Sequence, residues 1–164
     1  MNFPVPPRFH DRTEAGQSLA EELARYGGRT DVLVLALPRG GVPVGYEIAR
    51  FLQAPLDVML VRKLGVPCQE ELAMGALASG GVRVLNDEII DALDIERDTL
   101  EAVTLRERRE LERRELAYGG HRPAAEVAGR TVIVVDDGIA TGATMRAALL
   151  ALRRRWVGRN QGTH

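Results

Sequence analysis

Apolar residues fall along this chain in two rhythms. Residues 31–37 (DVLVLAL), 55–61 (PLDVMLV) and 131–135 (TVIVV) are continuous apolar runs, the pattern of strands covered on both faces. Between them the spacing turns helical. Ala15, Leu19 and Leu23 recur within residues 13–26, before the Gly27-Gly28 stop, and a second helix is expected over residues 43–52. A third covers residues 141–155, with Met145, Leu149, Leu150 and Leu152 available for packing. Asn86-Asp87 reads as a helix start. Residues 98–117 are rich in Glu, Arg and Leu, with Glu110 and Arg114 at the i,i+4 spacing of an exposed helix that Gly119-Gly120 ends. Residues 82–85 form a short strand. Residues 66–81 carry no clear period, and ELAMGALASGG fits either a strand or an apolar loop. Residues 1–11 are a proline-punctuated arm.

Buried strands alternating with helices imply an α/β fold, a parallel sheet wound by helices on both faces. One domain over residues 1–164 is expected: an N-terminal arm and helix (1–30), a core (31–155) with a charged helical insertion near 86–118, and a tail (156–164). In such sheets ligands sit at the carboxyl ends of the strands. All three apolar runs end in unusual chemistry: PRGG after the first, RKLG after the second and DDGIATGAT after the third.

Composition narrows the function. The 164 residues are 45% hydrophobic and 27% charged, with a net charge of -1 and a pI near 6.3, so no global basic field argues for nucleic acid or an anionic membrane surface. Phosphate recognition must then be local. No apolar run approaches a membrane span, and the start lacks a signal pattern. The lone Cys68 excludes an internal disulfide and fits a reducing cytoplasm, where it reads as a spectator thiol. His10, His121 and His164 are isolated, without metal-cage spacing. Every basic residue but Lys63 is arginine, which singles that lysine out.

The stretch VIVVDDGIATGATM sets Asp136 and Asp137 beside a small-residue loop that opens a helix. Unpaired N–H groups and the helix dipole favour a phosphate there, helped by the Thr141 and Thr144 hydroxyls. The Gly-Lys-Ser/Thr ending of a triphosphate-binding loop is absent. At Arg39-Gly40-Gly41 the glycines allow left-handed backbone and bring N–H groups near an anion, while Arg39 adds a forked cation.

VIVVDDGIATGATM resembles the phosphoribosyl-pyrophosphate motif of type I phosphoribosyltransferases. LPRGGVPVG resembles the pyrophosphate loop of that family, and LVRKLG sits where its members carry a second basic loop. The likeness covers residues 9–152 and is greatest to poorly characterised bacterial members. It implies a Mg²⁺-dependent transferase that moves phosphoribosyl from phosphoribosyl pyrophosphate to a nitrogenous base and releases pyrophosphate. Asp136 and Asp137 would hold the ribose hydroxyls, directly or through Mg²⁺. Gly138, Ile139, Ala140, Thr141, Gly142, Ala143 and Thr144 would cradle the 5-phosphate, and Arg39, Gly40, Gly41, Arg62 and Lys63 would face the pyrophosphate, with Arg39, Lys63 and the two aspartates as the catalytic set. A loop within residues 64–81 is expected to close over the site. A homodimer is a further expectation.

Two departures from the family pattern matter. Members that use 6-oxopurines carry aspartate at the position of Ala140, which makes hypoxanthine and guanine less attractive acceptors. The chain also ends in RRRWVGRNQGTH, where the family continues into a further strand, so it is expected to be shortened at its C-terminus. Trp156, with few residues after it, is expected to be exposed or covered by a partner. The alternative to an enzyme is a non-catalytic regulatory module of the same fold that binds phosphoribosyl pyrophosphate or a nucleotide.

Overall fold

The computed structural model describes residues 9–120, 123–138 and 142–159. Strand β1 (Val32–Ala36) is central in a parallel sheet of order β2-β1-β6, with β2 at Leu56–Val58 and β6 at Thr131–Val135. Each of its five residues is buried, as the unbroken apolar run requires of a strand covered on both sides. Alternation along β1 sorts the faces. Val34 packs with Val44, Ile48 and Leu52 of helix α2 (Gly41–Leu52), and Leu33, Leu35 and Leu37 pack with Ala148, Ala151 and Leu152 of helix α5 (Ala143–Arg159). Helix α1 (Arg12–Glu22) lies on α2. At the amino ends of β1 and β6, Arg29 forks onto Asp31 at 2.9 and 2.6 Å, and Thr131 donates to Asp31 at 3.0 Å, tying the two strands together.

A second sheet is antiparallel: β3 (Val61–Val66), β4 (Gln69–Ala78) and β5 (Val82–Leu85), in the order β3-β4-β5. Helix α4 (Arg97–Ala117) covers one face with Leu100, Val103 and Leu111, and α5 packs against the same three strands. The short helix α3 (Asp87–Ala92) begins where expected, its Asn86 side chain accepting from the Ile89 N–H. On α4, Glu110 accepts from Arg114 at 3.1 Å, the expected i,i+4 pair, and from Arg113 as well.

Four expectations need correction. The run 55–61 is not one strand: it breaks at Met59-Leu60, β2 staying in the parallel sheet and β3 leaving for the second. Both halves are apolar because each enters a core, which hides the break from a periodicity argument. Residues 64–81, within which the closing loop is expected, are mostly a hairpin: Leu64, Met74 and Leu77 join the α4 core, and exposure is confined to the tip at residues 67–71 and the next turn at Gly80-Gly81. Helix α5 packs through Ala147, Ala148, Ala151 and Leu152, whereas Leu149 and Leu150 are exposed. Finally, β6 is half-buried until Val135, because among the described residues it pairs only with β1. His121 and the Trp156 side chain lie outside the described residues. No helix among the described residues is long and apolar enough to cross a membrane.

Candidate functional site

The carboxyl ends of β1 and β6 meet directly. Leu37 N–H donates to the Val135 carbonyl at 2.8 Å, extending the ladder past the strand ends and carrying the following turns toward one another. After β1 the chain turns through Pro38, Arg39 and Gly40 into α2, with the Pro38–Arg39 peptide cis. After β6 come half-buried Asp136 and exposed Asp137, whose N–H donates to Asp136 Oδ1 at 2.8 Å.

The glycines of the first turn are required by contact. A Cβ on Gly40 would collide with the Asp137 carboxylate, and one on Gly41 would sit 2.6 Å from the Val135 oxygen. The expected left-handed backbone is not used: Gly40 has φ -64° and ψ -29°, ordinary helical values. Nor are the Gly41 and Val42 N–H groups free for an anion, since they donate to Leu37 and Arg39 carbonyls at 3.0 and 3.1 Å. What the turn offers is room for a carboxylate and the exposed Arg39 side chain, which has no ion-pair partner among the described residues.

The two acids differ electrically. Burial pushes the Asp136 carboxyl above its ordinary value. The Arg12 guanidinium holds Asp137 below it, Nε and one terminal nitrogen donating to Oδ2 at 3.0 and 2.7 Å. Arg12 is the site residue that sequence reasoning missed. It lies 125 positions away, and the available clue was the Asp11-x-x-Glu14 pattern of a helix start, which places Arg12 first in α1.

The remaining expected residues divide. Gly138 is exposed, with open space where a Cβ would point, and Gly142 (φ 74°) leads into α5, its carbonyl accepting from Arg146 at 2.9 Å. Ile139, Ala140 and Thr141 lie outside the described residues, as does the Ala143 side chain; Thr144 is exposed in the first turn of α5. Arg62 is not at this rim. It lies within β3 and pairs with Glu107 of α4 at 2.6 Å. Lys63, next along the strand, faces the other way, on the side of Val61 and helix α5, and has no ion-pair partner among the described residues. The sequence places both in a basic loop; the ladder to β4 instead puts them in a strand.

Two cavities lie away from this rim. One of about 500 Å³ adjoins β2, the β4–β5 turn and the end of α4, and one of about 610 Å³ lies along α4 beside Arg62; neither is lined by Arg39, Asp136 or Asp137. No group of three or more His, Cys, Asp or Glu side chains that could hold a metal occurs among the described residues.

Comparison with known proteins agrees with this architecture. A family model described as a phosphoribosyl transferase domain matches residues 9–157. Two proteins from Mycobacterium tuberculosis strains CDC 1551 / Oshkosh and ATCC 25618 / H37Rv, each named "Putative phosphoribosyl transferase", are 50% identical over 145 residues, 88% of this chain and 32% of their own length. The chain thus spans about a third of these curated relatives. The crystal structure of TT1426 from Thermus thermophilus superposes with a TM-score of 0.82 at 45% identity, covering 92% of this chain and 71% of that one. With the parallel sheet flanked by helices and the two turns meeting at its carboxyl rim, the chain belongs to the phosphoribosyl transferase domain family.

Proposed function

We propose that this chain transfers a phosphoribosyl group between phosphoribosyl pyrophosphate and a nitrogenous base, with Mg²⁺ as cofactor and pyrophosphate as the leaving group. The observation that carries the reading is the seating of Asp137 directly over Gly40, which makes the acidic turn and the Arg39 turn parts of one rim. The carboxylates of Asp136 and Asp137 address the ribose hydroxyls. Residues 138–144 take the 5-phosphate, and Arg39 and Lys63, neither with an ion-pair partner among the described residues, are the cations assigned to the pyrophosphate.

The reaction explains why opposite charges share this rim. As the bond from C1 to pyrophosphate breaks, positive charge builds on the sugar ring and negative charge on the departing oxygens. Carboxylates near the ring and cations near the leaving group therefore favour the transition state over the ground state. Two adjacent carboxylates without a third protein ligand among the described residues suit a hard ion that draws its remaining ligands from substrate phosphates and water, as Mg²⁺ does. When bound, that ion would neutralise charge on the pyrophosphate. Arg39 is exposed and unpaired among the described residues, so it can turn to the leaving group without breaking a structural contact.

Incubation with labelled phosphoribosyl pyrophosphate and Mg²⁺ across purine and pyrimidine bases tests the proposal. A labelled nucleotide from at least one base is expected. Saturable binding with no product on any base would replace the enzyme by a binding module of the same fold, and no binding would remove both readings.

A further inference from the structure

Helix α1 is built to deliver one side chain. Asp11 caps it, accepting from the Glu14 N–H at 2.8 Å, while the Glu14 carboxylate reaches back to the His10 N–H at 2.6 Å. The first bond satisfies a donor that the helix start leaves open, and the second ties the residue before the cap back to the first turn, so together they fix its orientation. One turn on, Gly16 lets α1 cross α2 closely: a Cβ there would lie 2.7 Å from Glu47 Cβ and 2.9 Å from the Val44 carbonyl. Helix α2 in turn begins at the Gly40-Gly41 turn. The first residue of α1 is thereby set against the rim, and that residue is Arg12.

Its guanidinium sends two nitrogens to one oxygen, Asp137 Oδ2, which is the oxygen lying over Gly40. The arrangement contributes little to folding, because the Arg12 side chain is 59% exposed and ion pairs of that kind are weak. What it does is local. It holds the Asp137 carboxylate against the Arg39 turn and places a fixed cation beside two adjacent carboxylates that would otherwise repel a polyphosphate.

We propose that Arg12 is a substrate-positioning residue: from α1 it orients Asp137 over Gly40 and offsets the charge of the acidic pair so that a sugar carrying phosphate groups can enter. The inference rests on the proposed function, whose ligand carries hydroxyls for Asp137 and anionic groups that Arg12 favours. Arg12 acts through Asp137, and its planar fork, with both nitrogens on one oxygen, is what a lysine cannot reproduce in full.

The test is calorimetric affinity for phosphoribosyl pyrophosphate with Mg²⁺, measured on wild type, R12A, R12K, D137N and the R12A/D137N double variant, with melting temperatures alongside. R12A is expected to weaken binding about tenfold, the size associated with losing a hydrogen bond to a charged group, while leaving the melting temperature nearly unchanged. R12K should recover part of the loss, and the double variant should be little weaker than D137N because the two residues act as a unit. Affinity in R12A within about twofold of wild type would make the contact a surface ion pair and overturn the inference. Tighter binding in R12A would make Arg12 a competitor for Asp137, and independent addition of the two losses would separate it from Asp137; both also overturn it. If the wild-type chain itself does not bind, the proposed function fails and this inference with it, whereas wild-type binding with an unaffected R12A removes Arg12 alone.

Discussion

The Arg62 guanidinium and the Glu107 carboxylate meet at 2.6 Å between β3 and α4, with only 27% and 12% of their side chains exposed. Removing the arginine leaves a mostly buried carboxylate without its main partner. R62A is therefore expected to lower stability in urea unfolding by about 1–3 kcal/mol. Affinity for phosphoribosyl pyrophosphate should stay near wild type, since Arg62 lies away from the rim. A large loss of affinity with unchanged stability would return Arg62 to the ligand.

Gly40 should not tolerate even one methyl group. In G40A either the Asp137 carboxylate or the turn must move, at a cost of about 1–3 kcal/mol as in other overpacked sites. Ligand affinity should fall further than stability does, because the displaced group is Asp137. Chemical denaturation paired with calorimetry separates the two effects, and wild-type affinity in G40A would show that the contact has no role in binding.

D137N and K63A probe the two ends of the proposed ligand. Each removes one charged contact, so affinity for phosphoribosyl pyrophosphate should drop about 10- to 100-fold, corresponding to about 1.5–3 kcal/mol. D137N should lose most at the sugar, and ribose 5-phosphate should report it as well as the full ligand does. K63A should leave ribose 5-phosphate binding nearly intact, because that ligand has no pyrophosphate. Near-wild-type affinity in both variants would end the assignment of this rim.

The acidic pair should titrate in order. Arg12 holds Asp137 below its ordinary value, so its contribution to stability is complete above the unfolded carboxyl value of about 3.9 and fades as pH falls through the lower folded value. Burial raises Asp136, which opposes folding while charged, and that opposition is relieved as pH falls through its raised folded value. Carbon-13 carboxyl spectra on acidification should show Asp136 protonating first. In R12A the Asp137 midpoint should rise. The reverse order, or an unmoved midpoint, would contradict the contact.

Much of this architecture was legible because long, uniform runs leave few choices. VLVLA could be covered on both sides only at the centre of a sheet, and the charged run of α4 could only be a helix with one face in solvent. The meeting of the Arg39 turn with Asp136-Asp137 followed from the rule that ligand chemistry gathers at strand ends. The rest depended on contacts that no local pattern encodes. Whether Leu56 and Leu64 share a strand or a sheet is decided by which core each enters, and both cores are equally apolar. Arg62 reads as a ligand cation until Glu107, 45 positions on, is seen beside it. The glycines of PRGG suggest backbone freedom in the sequence; their actual use is to leave space for atoms of β6 and Asp137.

The bond between Arg12 and Asp137 joins residues 125 positions apart, so the rim cannot be completed by any local stretch of chain. Long-separated contacts form only after much of the chain has been brought together, since closing the intervening loop must come first. The pairing of β1 with β6 has the same character, its partners Val32 and Thr131 lying far apart in the chain. Arg12 reaches Asp137 only while α1 stays docked on α2, so displacing that one helix would leave every strand in place and the Asp137 carboxylate without its clamp.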